Sequence, residues 1–220
     1  MRSAEWSLTD LYAQLGQALG PSGWWPADSK YEILVGAVLV QNTNWANVDR
    51  SLANLRETTG FAPDQLAALT QADWVPLIRP SGFYQNKSRA LVGLFAWLAH
   101  WDFDLAFIGG FPPATLRAQL LALRGIGQET ADAARLFVFD QPTFVADAYA
   151  RRLFGFLGRP YATYQALAKV TQAVAGWSLH DAQEFHGLID NFGKTVKTPA
   201  DFAASPLAGG RLTPLRAPLA

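Results

Sequence analysis

Apolar residues recur along almost the whole chain at spacings of three and four, the period of a helix with one buried face. Leu8, Leu11, Leu15 and Leu19 form one such stripe. Ile33, Leu34, Val38 and Leu39 form a second, and Leu91, Leu94, Phe95 and Leu98 a third. Alternating runs of β-branched residues are scarce. The pattern predicts an all-α fold of about ten helices joined by short turns. Breaks fall at Gly20-Pro21, Gly60, Pro63, Arg79-Pro80, Phe111-Pro112-Pro113, Gly125, Gly158-Arg159-Pro160 and Gly176, where Gly or Pro punctuates the helical period. Thr163 and Ser178 stand where N-caps are expected, because a short hydroxyl side chain can accept a first-turn amide. From Ser205 onward the period disappears, so residues 205–220 are expected to trail as a poorly ordered tail.

Composition agrees with a packed protein. Half of the 220 residues are hydrophobic, with eight Trp and fourteen Phe, enough to bury a sizeable core in one domain or two small lobes. No apolar run reaches the length of a membrane span and no basic-then-apolar leader opens the sequence, so no membrane partner is expected and a cytoplasmic location fits. The chain has no cysteine, which removes disulfides, thiolate metal sites and cysteine-held clusters. Formal net charge is zero, but the charges are not evenly spread. Residues 1–73 hold eight acids and four bases, a net −4, whereas 74–101 hold Arg79, Lys87 and Arg89 without an acid. Residues 148–180 hold Arg151, Arg152, Arg159 and Lys169, again without an acid. Two basic stretches on one face would make a modest positive surface of the kind nucleic acids meet.

The stretch that carries most chemistry runs from Leu123 to Asp147. Gly125 and Gly127 bracket one apolar residue, and a helical pattern begins immediately behind them. Glycine allows positive φ and close backbone approach, so main-chain N–H groups at a helix start can hold a phosphate, with Arg124 alongside to add a charge-assisted bond. A plain turn between two helices would use glycine in the same way. Asp147 follows as a lone carboxylate after the apolar Phe144-Val145-Ala146. It could stabilise positive charge and orient a water in an active site, or it could cap the helix predicted to begin at Ala148.

A family resemblance bears on these alternatives. Leu123-Arg124-Gly125-Ile126-Gly127-Gln128-Glu129-Thr130-Ala131 and Phe144-Val145-Ala146-Asp147 resemble the hairpin and catalytic loop of the helix-hairpin-helix–GPD superfamily of base-excision DNA glycosylases, the endonuclease III-like proteins. Leu39-Val40-Gln41-Asn42-Thr43 and the run from Arg79-Pro80-Ser81-Gly82 through Phe83-Tyr84-Gln85-Asn86-Lys87 extend the match, which covers residues 22–197. With Trp24-Trp25-Pro26, the chain looks most like the iron–sulfur-free 3-methyladenine glycosylase branch. The resemblance implies two lobes with the active cleft between them: a central helical bundle over residues 30–145 carrying the hairpin, and a second lobe of 1–29 plus 146–204. It implies double-stranded DNA with a damaged base as partner, Asp147 as catalytic acid, and Gly125, Gly127, Arg124, Tyr84 and Lys87 as backbone contacts. Gln41 would fill the gap left by an extruded nucleotide, and Trp24, Trp25, Pro26, Trp45 and Lys194 would line the base pocket. Gln41 and Trp45 are read as one helical turn apart.

Three departures refine the expectation. The strand-nicking members use a lysine just after the hairpin to form an imine, and that position is Glu129, which cannot. The reading is therefore a monofunctional glycosylase that uses water and leaves an abasic site. The four-cysteine cluster loop is missing, and Ala148-Tyr149 stands where many members have Thr-His. Lys194 is read as a lysine in an apolar site, able as a neutral amine to form a carbamate. His100, His180 and His186 show no metal spacing, so no metal or other cofactor is expected beyond a monovalent cation at the hairpin's carbonyls. One hairpin and one cleft suffice for an isolated lesion, so a monomer is expected. Two readings compete: a glycosylase for another damaged or mismatched base, and a helix-hairpin-helix DNA-binding protein without turnover.

Overall fold

The computed structural model describes residues 5–215. In chain order they form β1 (Glu5–Trp6), α1 (Leu8–Leu19), α2 (Lys30–Leu39), α3 (Trp45–Thr59), α4 (Pro63–Ala68), α5 (Gln71–Ile78), α6 (Tyr84–Ala99), α7 (Leu105–Gly109), α8 (Pro113–Ala122), α9 (Gln128–Phe137), α10 (Ala148–Phe156), α11 (Tyr164–Val170), α12 (Leu179–Thr195), α13 (Pro199–Ala203) and β2 (Arg211–Leu212). Short 3-10 turns cover Arg79–Ser81 and Gln172–Gly176. The fold is all-α apart from the two-residue strands. The chain divides into two compact units, Ala27–Gln141 and the remainder, residues up to Pro26 with those from Pro142 on.

The continuous unit is built around α2, whose Leu34, Val35, Val38 and Leu39 are all buried. An almost unbroken apolar sequence leaves α2 no polar face, so other helices must cover it on several sides. Ser29 starts it by accepting the Glu32 amide at 3.1 Å, the usual N-cap arrangement. Trp74 of α5 and Phe95 of α6 fill the middle, with ring centroids 5.9 Å apart. At one end lies a polar network. Asp132 takes two bonds from Arg117, at 2.8 and 3.1 Å, and one from Arg135 at 3.2 Å. Gln141 accepts from Arg135 and donates to the carbonyls of Gly109 and Phe111. Each buried charge here has a partner, as burial demands.

In the discontinuous unit, α1 packs against α12. Ser7 and Asp10 form a capping box at the start of α1, and Tyr12 meets Phe185 edge-on with centroids 5.8 Å apart. Thr163 and Ser178 cap α11 and α12 as the sequence suggests, accepting from Ala166 and Asp181 at 3.1 and 3.0 Å. The expected tail is corrected over its described part. Leu207 and Leu212 are each only 1% exposed, and Glu5 and Trp6 pair in parallel with Arg211 and Leu212. The Leu212 amide donates to the Leu157 carbonyl at 3.0 Å, and Thr213 to Trp6 at 2.9 Å. Two leucines and a strand pairing hold this segment without any helical period, so a search for period alone passes over it. Residues 216–220 of the expected tail lie outside the described residues.

Candidate active site and nucleic-acid interface

The hairpin joins α8 to α9. Gly125 has φ +84°, and a Cβ there would meet the Ala90 Cβ of α6 at 2.8 Å. Both the conformation and the space therefore require glycine. Ile126 is buried and fixes the loop, while Arg124, Gly125 and Gly127 are exposed. Gly127 is the N-cap of α9 and supplies no side-chain cap. A helix start with exposed backbone and no capping side chain is a ready anion site. Glu129 lies exposed in the first turn of α9.

Gln41 and Lys87 tie this hairpin to two neighbouring turns. Gln41 follows the end of α2, and its Nε2 donates to the Gly125 carbonyl at 3.2 Å and to Thr130 Oγ1 at 3.0 Å. Its amide thus braces the hairpin and occupies one of the hairpin oxygens expected to face a cation. Lys87 is a correction. Instead of gripping DNA, its ammonium is buried and donates to the carbonyls of Leu39 and Ser81 at 2.7 and 2.8 Å. Burial pushes the amine down to about 8. The C-terminal end of α2 offers electron-rich carbonyls to a cation, which explains why a lysine goes inside here. Tyr84 is half-buried under the Arg79 guanidinium, 5.5 Å from its ring centroid. Sequence reasoning missed Phe83, which is 63% exposed and held at φ +48°. An exposed aromatic in a left-handed turn, braced by the anchored Lys87, stands ready to contact something outside the protein. The available signal was an apolar residue directly after the Ser81-Gly82 turn.

Gln41 and Trp45 are not one helical turn apart. The chain leaves α2, passes Asn42 at φ +53° and restarts α3 at Trp45. Trp45 is partly buried against the core of the 27–141 unit, whereas Trp24, Trp25, Asp147 and Lys194 belong to the other unit.

Asp147 caps α10. Its Oδ1 accepts the Ala150 amide at 2.7 Å, and the side chain is almost fully buried. Capping and chemistry are compatible, because only one oxygen is needed for that bond. Burial pushes the carboxyl up to about 7; the Ala150 and Tyr149 amides and the Arg151 charge oppose this, and the Asp190 charge adds to it. Raised carboxylates of this kind cluster at sites of chemistry.

Around it α12 presents a stripe of polar side chains. His186, Asp190 and Lys194 recur every four residues and so share one face. Lys194 Nζ lies 2.5 Å from Asp190 Oδ2 and 4.8 Å from the ring centroid of Trp24. Trp24 meets His186 edge-on at 5.7 Å and Trp25 at 4.9 Å. Its Nε1 donates to Asn191 at 3.1 Å, and Ser22 is held by Glu184 through two bonds of 2.6 Å. Gly187 makes room, since a Cβ there would collide with Ser22 and Trp24. Pro26 is exposed at the end of this aromatic segment. Burial holds His186 down at about 4, so its imidazole is neutral at physiological pH. The Lys194 site differs from the apolar one expected: the side chain is about half exposed and ion-paired, and a carbamate there would set a second anion against Asp190. The histidines carry no metal spacing, but the four-residue interval from His186 to Asp190 is legible in the sequence. Among the described residues no group of three or more His, Cys, Asp or Glu is placed to hold a metal ion, and no helix is long and apolar enough to cross a membrane.

Comparison with known proteins gives consistent matches. The family model for the HhH-GPD superfamily of base excision DNA repair proteins matches residues 35–175. A Methanocaldococcus jannaschii protein provisionally named as a DNA repair glycosylase, MJ1434, is 33% identical over 183 residues, covering 81% of this chain and 83% of that one. Endonuclease III of Thermotoga maritima is 29% identical over 145 residues, 64% of each chain. Among solved structures, H. pylori 3-methyladenine DNA glycosylase (MagIII) bound to 1,N6-ethenoadenine is similar, with a TM-score of 0.72 and 26% identity over 86% of this chain and 98% of that one.

Proposed function

Because the chain belongs to the HhH-GPD superfamily of base excision DNA repair glycosylases, we propose that it is a monofunctional N-glycosylase that hydrolyses alkylated purines, 3-methyladenine first, from double-stranded DNA. The observation that carries the reading is Asp147: a buried carboxylate, fixed by the Ala150 amide, whose charge burial makes costly despite that amide and the Arg151 charge.

Departure of the base leaves positive charge on the sugar. An ionised Asp147 stabilises that charge and orients the attacking water, a role that needs no covalent bond to the protein. Glu129 at the imine position supplies no amine, so the product is an intact strand with an abasic site. The exposed amides at Gly125 and Gly127 hold a phosphate, Arg124 adds charge, and Phe83 with Gln41 fills the stack where the nucleotide was extruded. Trp24, with Trp25 at its edge, stacks on the extruded base. The Lys194 ammonium already rests over Trp24, so the indole face accepts cations, as a cationic alkylpurine requires. The same contact favours a second reading, because a resident ammonium repels a cationic base and favours an uncharged lesion. No cofactor takes part, and a monomer suffices.

Release of free base from methylated duplex DNA tests this. Wild type is expected to release 3-methyladenine and Asp147→Asn to release none. Equal release by both overturns the assigned role; binding without release by wild type identifies a DNA-binding module. A substrate panel contrasting 3-methyladenine with uncharged lesions separates the two base readings.

A further inference from the structure

We propose that Asp190 is a positioning residue, a buried carboxylate that, paired with Lys194, governs the charge on Asp147 and holds the Lys194 ammonium over Trp24. The glycosylase reading enters only in giving Asp147 its task.

The geometry comes from how α12 meets α10. Gly193 lies so close to the first turn of α10 that a Cβ would meet the Tyr149 side chain at 2.7 Å, and Arg152 donates to the Gly193 carbonyl. Asp190 is three residues earlier and therefore on the same face of α12. It is buried at 6% exposed, and Lys194 reaches it at 2.5 Å. The charged and titratable groups here are Tyr149, Arg151 and Arg152 on α10, with Glu184, His186, Asp190 and Lys194 on α12. Glu184 is engaged by Ser22, Arg152 by Gly193 and the Tyr149 ring, and His186 is neutral. Asp190 is thus the anion acting on Asp147, opposed there by the Arg151 charge, and Lys194 is the cation that pairs with Asp190.

A second carboxylate near a dry catalytic one serves a purpose only if its charge is compensated. With Lys194 ion-paired to Asp190, two acids share a low-dielectric site, one balanced by an ammonium and the other capping a helix N-terminus. The lysine does not form its ion pair with Asp147 itself, so Asp147 stays available to a developing sugar cation. Burial of Asp190 also fixes where the ammonium rests, and hence the cation on the base-stacking face of Trp24.

The test is direct titration of the Asp147 carboxyl by carbon-detected NMR in the full chain, for wild type, Asp190→Asn and Lys194→Met. Removing the anion is expected to lower the Asp147 midpoint by roughly 0.5 to 1 pH unit, and removing the cation to raise it by a similar amount. Under single-turnover conditions, the acidic limb of base release should move in the same order. A purely structural role would reduce the rate without moving either midpoint. Midpoints that stay put, or move in the same direction in both variants, overturn the proposal; Lys194→Met keeps it testable if Asp190→Asn fails to fold, since Lys194 is half-exposed. Shifted midpoints in a protein that releases no base would sink the glycosylase reading alone, and unmoved midpoints in an active enzyme would sink the role of Asp190 alone.

Discussion

Lys87 Nζ donates to the Leu39 carbonyl at 2.7 Å, closing the C-terminal end of α2 with a buried ammonium. Lys87→Met strands that carbonyl and the one at Ser81, at a cost of about 2–3 kcal/mol. The amine sits below its ordinary range, at about 8, so between there and the ordinary lysine value the unfolded chain binds more protons. This group therefore adds stability as pH climbs through that window. Urea denaturation should find the wild type ahead at pH 7 and further ahead at pH 9.5. An unchanged denaturation midpoint in the variant, with a reduced salt dependence of DNA binding, would restore the phosphate-contact reading.

Asp147 behaves in the opposite sense. Its carboxyl is raised to about 7, so its protonated form favours the fold. That contribution is complete below the ordinary carboxylate value and is lost as pH rises through 7. Asn keeps the cap and carries no charge, so Asp147→Asn is expected to be more stable than wild type by about 1–3 kcal/mol at pH 8 and equal to it near pH 4. Base release by wild type should rise with pH through about 7, where the carboxylate forms. A variant less stable than wild type at pH 8 would contradict a strained acid.

The two hairpin glycines separate folding from binding. Gly125→Ala faces both positive φ and the Ala90 Cβ, and should lose about 1–3 kcal/mol of stability. Gly127→Ala has open space around it, so the fold should tolerate it while DNA affinity falls. Thermal melting and fluorescence anisotropy on duplex DNA give the two readouts; a Gly127→Ala protein with undiminished affinity would count against the phosphate hook.

Phe83 should matter only when DNA is present. At 63% exposed, its replacement by alanine is expected to change stability by less than about 0.5 kcal/mol. Single-turnover base release should nonetheless drop by about tenfold, because an extruded nucleotide leaves a gap that an apolar side chain can fill. Unaltered release would remove Phe83 from the interface.

Glu129 makes a prediction about products. Borohydride added during turnover should trap no protein–DNA adduct, and strands should remain uncut until alkali is added. A trapped adduct would locate an amine nucleophile and end the water mechanism.

Much of this was legible in the chain because its determinants are local. Helical stripes and the caps at Thr163 and Ser178 are fixed by neighbours within a few residues, and the Gly125 turn announces itself by its glycine even though Ala90 also demands it. What escaped depends on contacts far apart in sequence. Lys87 looks like a surface lysine until Leu39 is brought beside it. Leu207 and Leu212 look like a loose end until Trp6 and Leu157 meet them. Gln41 and Trp45 suggest one helix because spacing cannot reveal the left-handed Asn42 between them. Asp190 carried a readable interval to His186 and Lys194, yet its meaning needed the approach of Gly193 to Tyr149.

The pairing of Glu5 and Trp6 with Arg211 and Leu212 has a consequence for biosynthesis. The Ala27–Gln141 unit is continuous and can collapse as soon as it clears the ribosome. The unit that holds Asp147 needs residues from both sides of that continuous stretch. Until Leu212 and Thr213 emerge, Leu157 and Trp6 lack these backbone partners, so the segment before Pro26 must wait, uncommitted, while the intervening residues are made.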